Sequence, residues 1–220
     1  MQALQVVRIS TSLSQVEMPA LDLASKLMRE AMRDVLKKEV WSIQIETHKP
    51  GAALKFKQQP SAIVCSILQE IMIPSSNPTQ IATSWRSYLE QLRSVRAPIY
   101  VLNVFRHVAE NGPDGGVSPK VERIRRVNRL LVDLAREYRA AVIDVDGVLA
   151  DIGGLNLQAD FRLGSKPAIK RIGCIIAMGL LSGPLGEESN LYAQRQAMEL
   201  LRARGLDSVL DRSRGAMAAW

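Results

Sequence analysis

The chain is poor in the residues that anchor metal and disulfide chemistry. Its 220 residues include only two cysteines, Cys65 and Cys174, and two histidines, His48 and His107. Each cysteine lies in an apolar segment, "SAIVCSIL" and "RIGCIIAMGLL", as buried free thiols of a reducing cytoplasm do. Cysteines and histidines at unrelated spacings make no zinc signature. Aromatic residues are scarce as well, at 5%. The net charge of +7 therefore lacks the interleaved rings that stack bases, and no nucleic-acid partner is expected. Long hydrophobic runs are absent too. The longest, residues 172–181, is too short for a membrane span and reads as a buried helix. The opening "MQALQVVRIS" lacks the charged and apolar regions of a signal peptide. The expectation is a cytoplasmic protein without a membrane span.

What is present suits a globular domain. Hydrophobic residues make up 47% of the chain and charged residues 23%, and the length suits one full core plus a small appendage. Short β-branched runs alternate with helical patterns. "LQVVRI", "VWSIQI", "SAIVCSIL", "PIYVLNVF" and "AAVIDV" read as strands. Between them, residues 19–38, 79–95, 120–139 and 166–181 repeat apolar residues at helical spacing. Val121, Ile124, Val127, Leu131 and Leu134, for example, form one stripe. "SAIVCSIL" is apolar throughout, as a strand buried on both faces should be. The alternation predicts an α/β fold: a three-layer α/β/α sandwich around a five-stranded parallel sheet. Residues 1–185 form that domain. Residues 186–220 form a C-terminal helical extension packed on it, with an amphipathic helix and a second short one around Gly205. The bland reading of the extension is packing; the sharper one is a surface for a homodimer or a protein partner.

Ligands of such sheets bind beyond the carboxyl ends of the strands. The first strand runs there into "ISTSLSQ", the second into "ETHKPGAAL", the third into "SILQE", and "ADFRLGSKPAIKRIG" precedes the helix at residues 166–181. In order and frame, these blocks resemble the SGNH, or GDSL-type, hydrolase family. Ser12, Leu13 and Gln15 match the first block, while Ser10 and Thr11 stand where the family has Gly and Asp. Gly51 takes the glycine of the second block. Gln69 and Glu70 stand in the Asn and Asp places of the third. Asp160 keeps the Asp of the last block, and Leu163 replaces its His. The resemblance spans about residues 4–181 and implies ester or acyl chemistry on a small molecule, with Ser12 as nucleophile. No cofactor and no metal are expected. The Ser12 and Gly51 backbone N–H groups, with Gln69, would be oxyanion donors. Ser12, Gly51, Gln69, His107 and Asp160 are expected to line one cleft.

Serine attack needs a proton acceptor, and leucine at 163 cannot be one. His48 and His107 both follow strands on the site face and are the remaining imidazole candidates. Glu70 and Asp160 come next. Alternatively, Ser12 is a turn serine bonding its own loop, and the chain is a pseudo-hydrolase that binds a ligand or partner. A flavodoxin-like binding protein sharing the strand order is a third reading. Arg106, Lys49, Lys55, Arg162 and Lys166 come from segments expected around the site and suit an anionic ligand. Asp144 and Asp146, one residue apart at a strand end, are expected to point to the same side.

Overall fold

The computed structural model describes residues 4–38, 40–49, 56–72, 77–105, 118–151, 165–183, 185 and 191–205. Five strands form one sheet in the order β2-β1-β3-β4-β5, every pairing parallel. They are β1 (Gln5–Thr11), β2 (Trp41–Thr47), β3 (Ala62–Ser66), β4 (Ile99–Leu102) and β5 (Ala141–Ile143). The helices are α1 (Met18–Leu36), α2 (Leu68–Met72), α3 (Pro78–Arg93), α4 (Pro119–Tyr138), α5 (Val145–Asp151), α6 (Lys166–Ser182) and α7 (Leu191–Gly205).

Apolar residues fix this arrangement from both faces of the sheet. One core joins Val7 and Ile9 of β1 to Leu21, Met28 and Met32 of α1 and to Ile176 and Leu180 of α6. The other joins Ile63 and Cys65 of β3 to Trp85, Tyr88 and Leu89 of α3 and to Ile124 and Leu131 of α4. All five residues of β3 are buried, as the apolar run Ala62 to Cys65 requires. Fully burying one aliphatic side chain contributes about 1.5–3 kcal/mol, so these facing layers set which side of each strand looks inward. Because side chains alternate along a strand, Val7 and Ile9 face α1 while Ser10 is left for the opposite face.

Helix ends follow local chemistry. Asn77 caps α3: its side chain accepts the Gln80 N–H at 2.8 Å, and the Gln80 side chain accepts the Asn77 N–H at 3.1 Å. This reciprocal pair, with proline in the first turn, satisfies donors that a helix start leaves open. Lys37 and Arg139 end α1 and α4 in left-handed conformation.

Two expectations change. "SAIVCSIL" is not strand throughout, because Ser66 turns the chain: its hydroxyl accepts the Leu68 N–H at 3.0 Å, and α2 begins. The connection after β5 also opens with a helix, α5, so Asp144 and Asp146 are not alternate residues of a strand end. Asp144 accepts from Gly147 N–H at 2.9 Å and from the Asn103 amide at 2.6 Å, which is a helix start. Asp146 lies in the first turn. At the C-terminus, α7 runs unbroken to Gly205 and packs on α1 and α6. The short helix expected around Gly205 falls mostly on residues 206–210, outside the described residues.

Candidate active site

The carboxyl end of β1 carries Ser10, Thr11 and Ser12, all buried. Thr11, in the acidic place of the family's first block, is a backbone anchor. Its hydroxyl donates to the Val64 carbonyl of β3 at 2.8 Å and accepts the Leu13 N–H at 3.2 Å. The turn after β1 is thereby tied down on both sides of Ser12. Beside it, the His48 N–H donates to the Thr11 carbonyl at 2.8 Å, extending the β1–β2 ladder by one rung. That rung sets the imidazole next to the serines.

Four side chains then bond in series. Ser10 Oγ lies 2.9 Å from His48 Nδ1. His48 Nε2 lies 2.7 Å from the Tyr88 hydroxyl. The Tyr88 hydroxyl donates to Ser12 Oγ at 3.0 Å. Tyr88 comes from α3 and is itself buried. Phe56 meets the imidazole edge to face at 5.8 Å, and Trp85 meets the Tyr88 ring likewise at 5.7 Å. The Trp85 indole donates to Glu70 at 3.1 Å, which places Glu70 behind this aromatic shell.

Burial shapes the ionisation of the series. It pushes the His48 pKa down, because a charged imidazolium loses solvation, and Glu46 only partly opposes the shift. His48 is therefore neutral at neutral pH, with a lone pair to offer. Burial also pushes the Tyr88 pKa up, with the Cys65 thiol adding in the same direction and the bond to Ser12 opposing it. Tyr88 stays a phenol that can donate and accept at once.

Of the expected site residues, Ser12 and His48 are brought together, through Tyr88. Glu70 joins the same shell through Trp85. Gln69 is exposed on α2. His107, Asp160, Gly51, Arg106 and Arg162 lie outside the described residues, as do Leu163 and Lys55. The Ser12 N–H, expected as an oxyanion donor, is occupied by the Val64 carbonyl at 3.2 Å. Lys166, expected at the rim of the site, instead lines an apolar cavity of about 410 Å³ between α1, α6 and α7, whose lining does not include Ser12. Sequence reasoning missed Tyr88. Its signal was faint: an aromatic pair three residues apart, Trp85 and Tyr88, within the apolar stripe of an amphipathic helix.

No family model matches the sequence, and no curated protein does. Solved structures do match in fold. An alpha/beta hydrolase enzyme from the metagenome of Lake Arreo, Spain, superposes with a TM-score of 0.56 at 9% identity, over 80% of this chain and 93% of that one. An acetylxylan esterase from Geobacillus stearothermophilus gives 0.53 at 10%, covering 81% and 93%. A lipase/acylhydrolase from Enterococcus faecalis gives 0.53 at 12%, covering 81% and 95%. The chain has the fold of the SGNH, or GDSL-type, hydrolases.

Proposed function

We propose that the protein is a serine-dependent hydrolase, or acyltransferase, acting on an ester or acyl group of a small molecule. The carrying observation is Ser12 itself. It follows β1 directly at the carboxyl edge of the sheet, and its Oγ is hydrogen-bonded to Tyr88, with a neutral imidazole one bond further on. A nucleophile needs such an acceptor network within reach. The folds that match are those of esterases and a lipase/acylhydrolase, and a catalytic mutant of the Geobacillus esterase replaces a serine by alanine. The basic residues Lys49, Lys55, Arg106 and Arg162 follow strands or precede α6 in the sequence and favour an anionic substrate. The free, buried cysteines suit a cytoplasmic setting. No helix among the described residues is long and apolar enough to cross a membrane.

The test is a serine-reactive fluorophosphonate with a panel of short-chain acyl esters, comparing wild type with Ser12→Ala. Labelling and turnover that vanish in the variant support the reading. Full activity in Ser12→Ala overturns it. A specific observation favours a second reading, a pseudo-hydrolase that binds its ligand unchanged: the Ser12 N–H is already engaged by Val64, so it offers no proton to an oxyanion. Ligand-induced thermal stabilisation without labelling or turnover would select that reading.

A further inference from the structure

The residues at the two altered positions of the first block are the ones that wire the site. Ser10, in place of a glycine, supplies the hydroxyl that contacts His48 Nδ1. Thr11, in place of an acid, ties the turn after β1 to β3 through its hydroxyl, and its backbone carbonyl accepts the His48 N–H. A glycine at position 10 has no side chain to meet an imidazole. The departure at position 10 and the contact made by the His48 imidazole are therefore one structural fact.

On the reading of Ser12 as nucleophile, we propose that His48 is its base and Tyr88 the relay between them, with Ser10 a positioning residue that orients the imidazole. This wire takes the place of the histidine that the family's motif would put at position 163.

Heavy-atom distances of 3.0, 2.7 and 2.9 Å accommodate the wire in either polarity. In one, protons point toward Ser12: Ser10 to His48 Nδ1, His48 Nε2 to Tyr88, Tyr88 to Ser12. In the other, all three reverse. The reversed polarity performs acylation. Ser12 Oγ bonds to the carbonyl carbon, and the carbonyl π pair moves to its oxygen. The Ser12 proton passes to Tyr88 as the Tyr88 proton passes to His48 Nε2. The imidazolium keeps its Nδ1 proton on Ser10. Collapse of the tetrahedral species breaks the bond to the leaving alkoxide, which takes a proton back from His48 through Tyr88. Water then attacks the acyl carbon and passes a proton to His48 through Tyr88; collapse breaks the bond from the acyl carbon to Ser12 Oγ, which takes that proton back along the same path. The sum is ester plus water giving acid plus alcohol, with no other reactant.

The phenol suits a relay because one oxygen accepts and donates at once. Burial disfavours both the tyrosinate and the imidazolium, so the proton moves through Tyr88 without resting there. Among the described residues, the titratable groups facing His48 are Glu46 on β2 and Tyr88 on α3.

Two measurements test the wire. The first is the His48 imidazole ¹⁵N titration, assigned against His107→Gln. It should occur below the ordinary imidazole range in wild type, and Tyr88→Phe should shift the Nε2 resonance and the midpoint. The second is the pH profile of fluorophosphonate labelling. Tyr88→Phe and His48→Gln should each slow labelling by about a hundredfold, and the double variant should lose little more, because the two act as a unit. Ser10→Ala should slow it about tenfold, and Ser10→Thr, which retains the hydroxyl, should restore most of that loss. A folded Tyr88→Phe that labels at the wild-type rate, or single losses that multiply in the double variant, overturns the relay and leaves the hydrolase reading intact. A wild type inert to the probe and to all esters overturns both. An unchanged His48 titration in folded Tyr88→Phe shows that the bond is not made and overturns the wire without reference to activity.

Discussion

Two polar networks sit at the carboxyl edge of the same sheet, and they differ in where their hydrogen bonds end. Beyond β4 and β5, Asn103 and Asp144 bond to each other and then to backbone: Asn103 accepts from Asp146 N–H at 3.0 Å and Asp144 from Gly147 N–H at 2.9 Å. Every bond there starts a helix or holds a turn. Beyond β1 and β2, the series Ser10, His48, Tyr88 and Ser12 runs from side chain to side chain. Its members are mostly buried, and each can both accept and donate. A network that terminates on peptide groups does structural work. One that links exchangeable hydroxyls through an imidazole can also move a proton. Polar residues at a strand end are thus not evidence of a site until the destination of their bonds is known.

The sharpest way to separate the two networks is Ser12→Ala. We expect fluorophosphonate labelling and ester turnover to fall by at least about a thousandfold. Stability should change by no more than about 1 kcal/mol, since one hydroxyl acceptor for Tyr88 is lost. Asp144→Ala should do the reverse, costing about 1 kcal/mol in chemical denaturation through loss of a helix cap while the labelling rate stays within twofold. Gly147→Ala should act in the same direction, because its Cβ would collide with the Asp144 carboxylate.

A gentler test varies pH. His48 must be neutral to accept a proton, and its folded pKa lies below the ordinary imidazole value. The acid limb of labelling should therefore have its midpoint below about 6.5. The same shift carries a stability term of fixed sign. The unfolded chain binds the proton more readily, so stability falls as pH drops from the ordinary imidazole value toward the folded one, then levels off. Denaturant midpoints across that window check the sign, and His48→Gln should flatten the dependence. The smallest effect belongs to the exposed pair Arg204–Asp34, 2.7 Å apart. Arg204→Ala should leave both labelling and melting temperature unchanged within error, because exposed pairs gain little.

Much of the fold is legible in the residues. β-branched runs between amphipathic stripes place five parallel strands, and the unbroken apolar run of β3 marks the centre of the sheet. Helices α2 and α5 are not legible by periodicity, because five and seven residues span too little for an apolar stripe to repeat. Their starts were written in Ser66 and in the Asp144–Gly147 pair, which act through single hydrogen bonds. At the site, the strand-end position of Ser12 and His48 could be read, since it follows from where each strand stops. Tyr88 could not, because a tyrosine on the inner face of a helix looks like core until the docked helix shows where its hydroxyl lands. Ser10 has the opposite lesson. In the glycine place it reads as a lost motif letter, yet strand alternation already sets it on the sheet face opposite Val7 and Ile9, the face that α3 covers.

The parallel topology has a kinetic consequence. Parallel strands cannot pair as hairpins, and β1 meets β3 between residues 53 positions apart in the chain. Ser12 then meets Tyr88, 76 positions further along. No local segment contains the reacting group, its relay and its base together. Such long-range closure comes at the end of a slow, cooperative search. Ser12 reactivity should therefore appear only when the whole sheet has closed and α3 has docked. In refolding from denaturant, covalent labelling would act as a clock for the last step of assembly, lagging behind the recovery of helical signal.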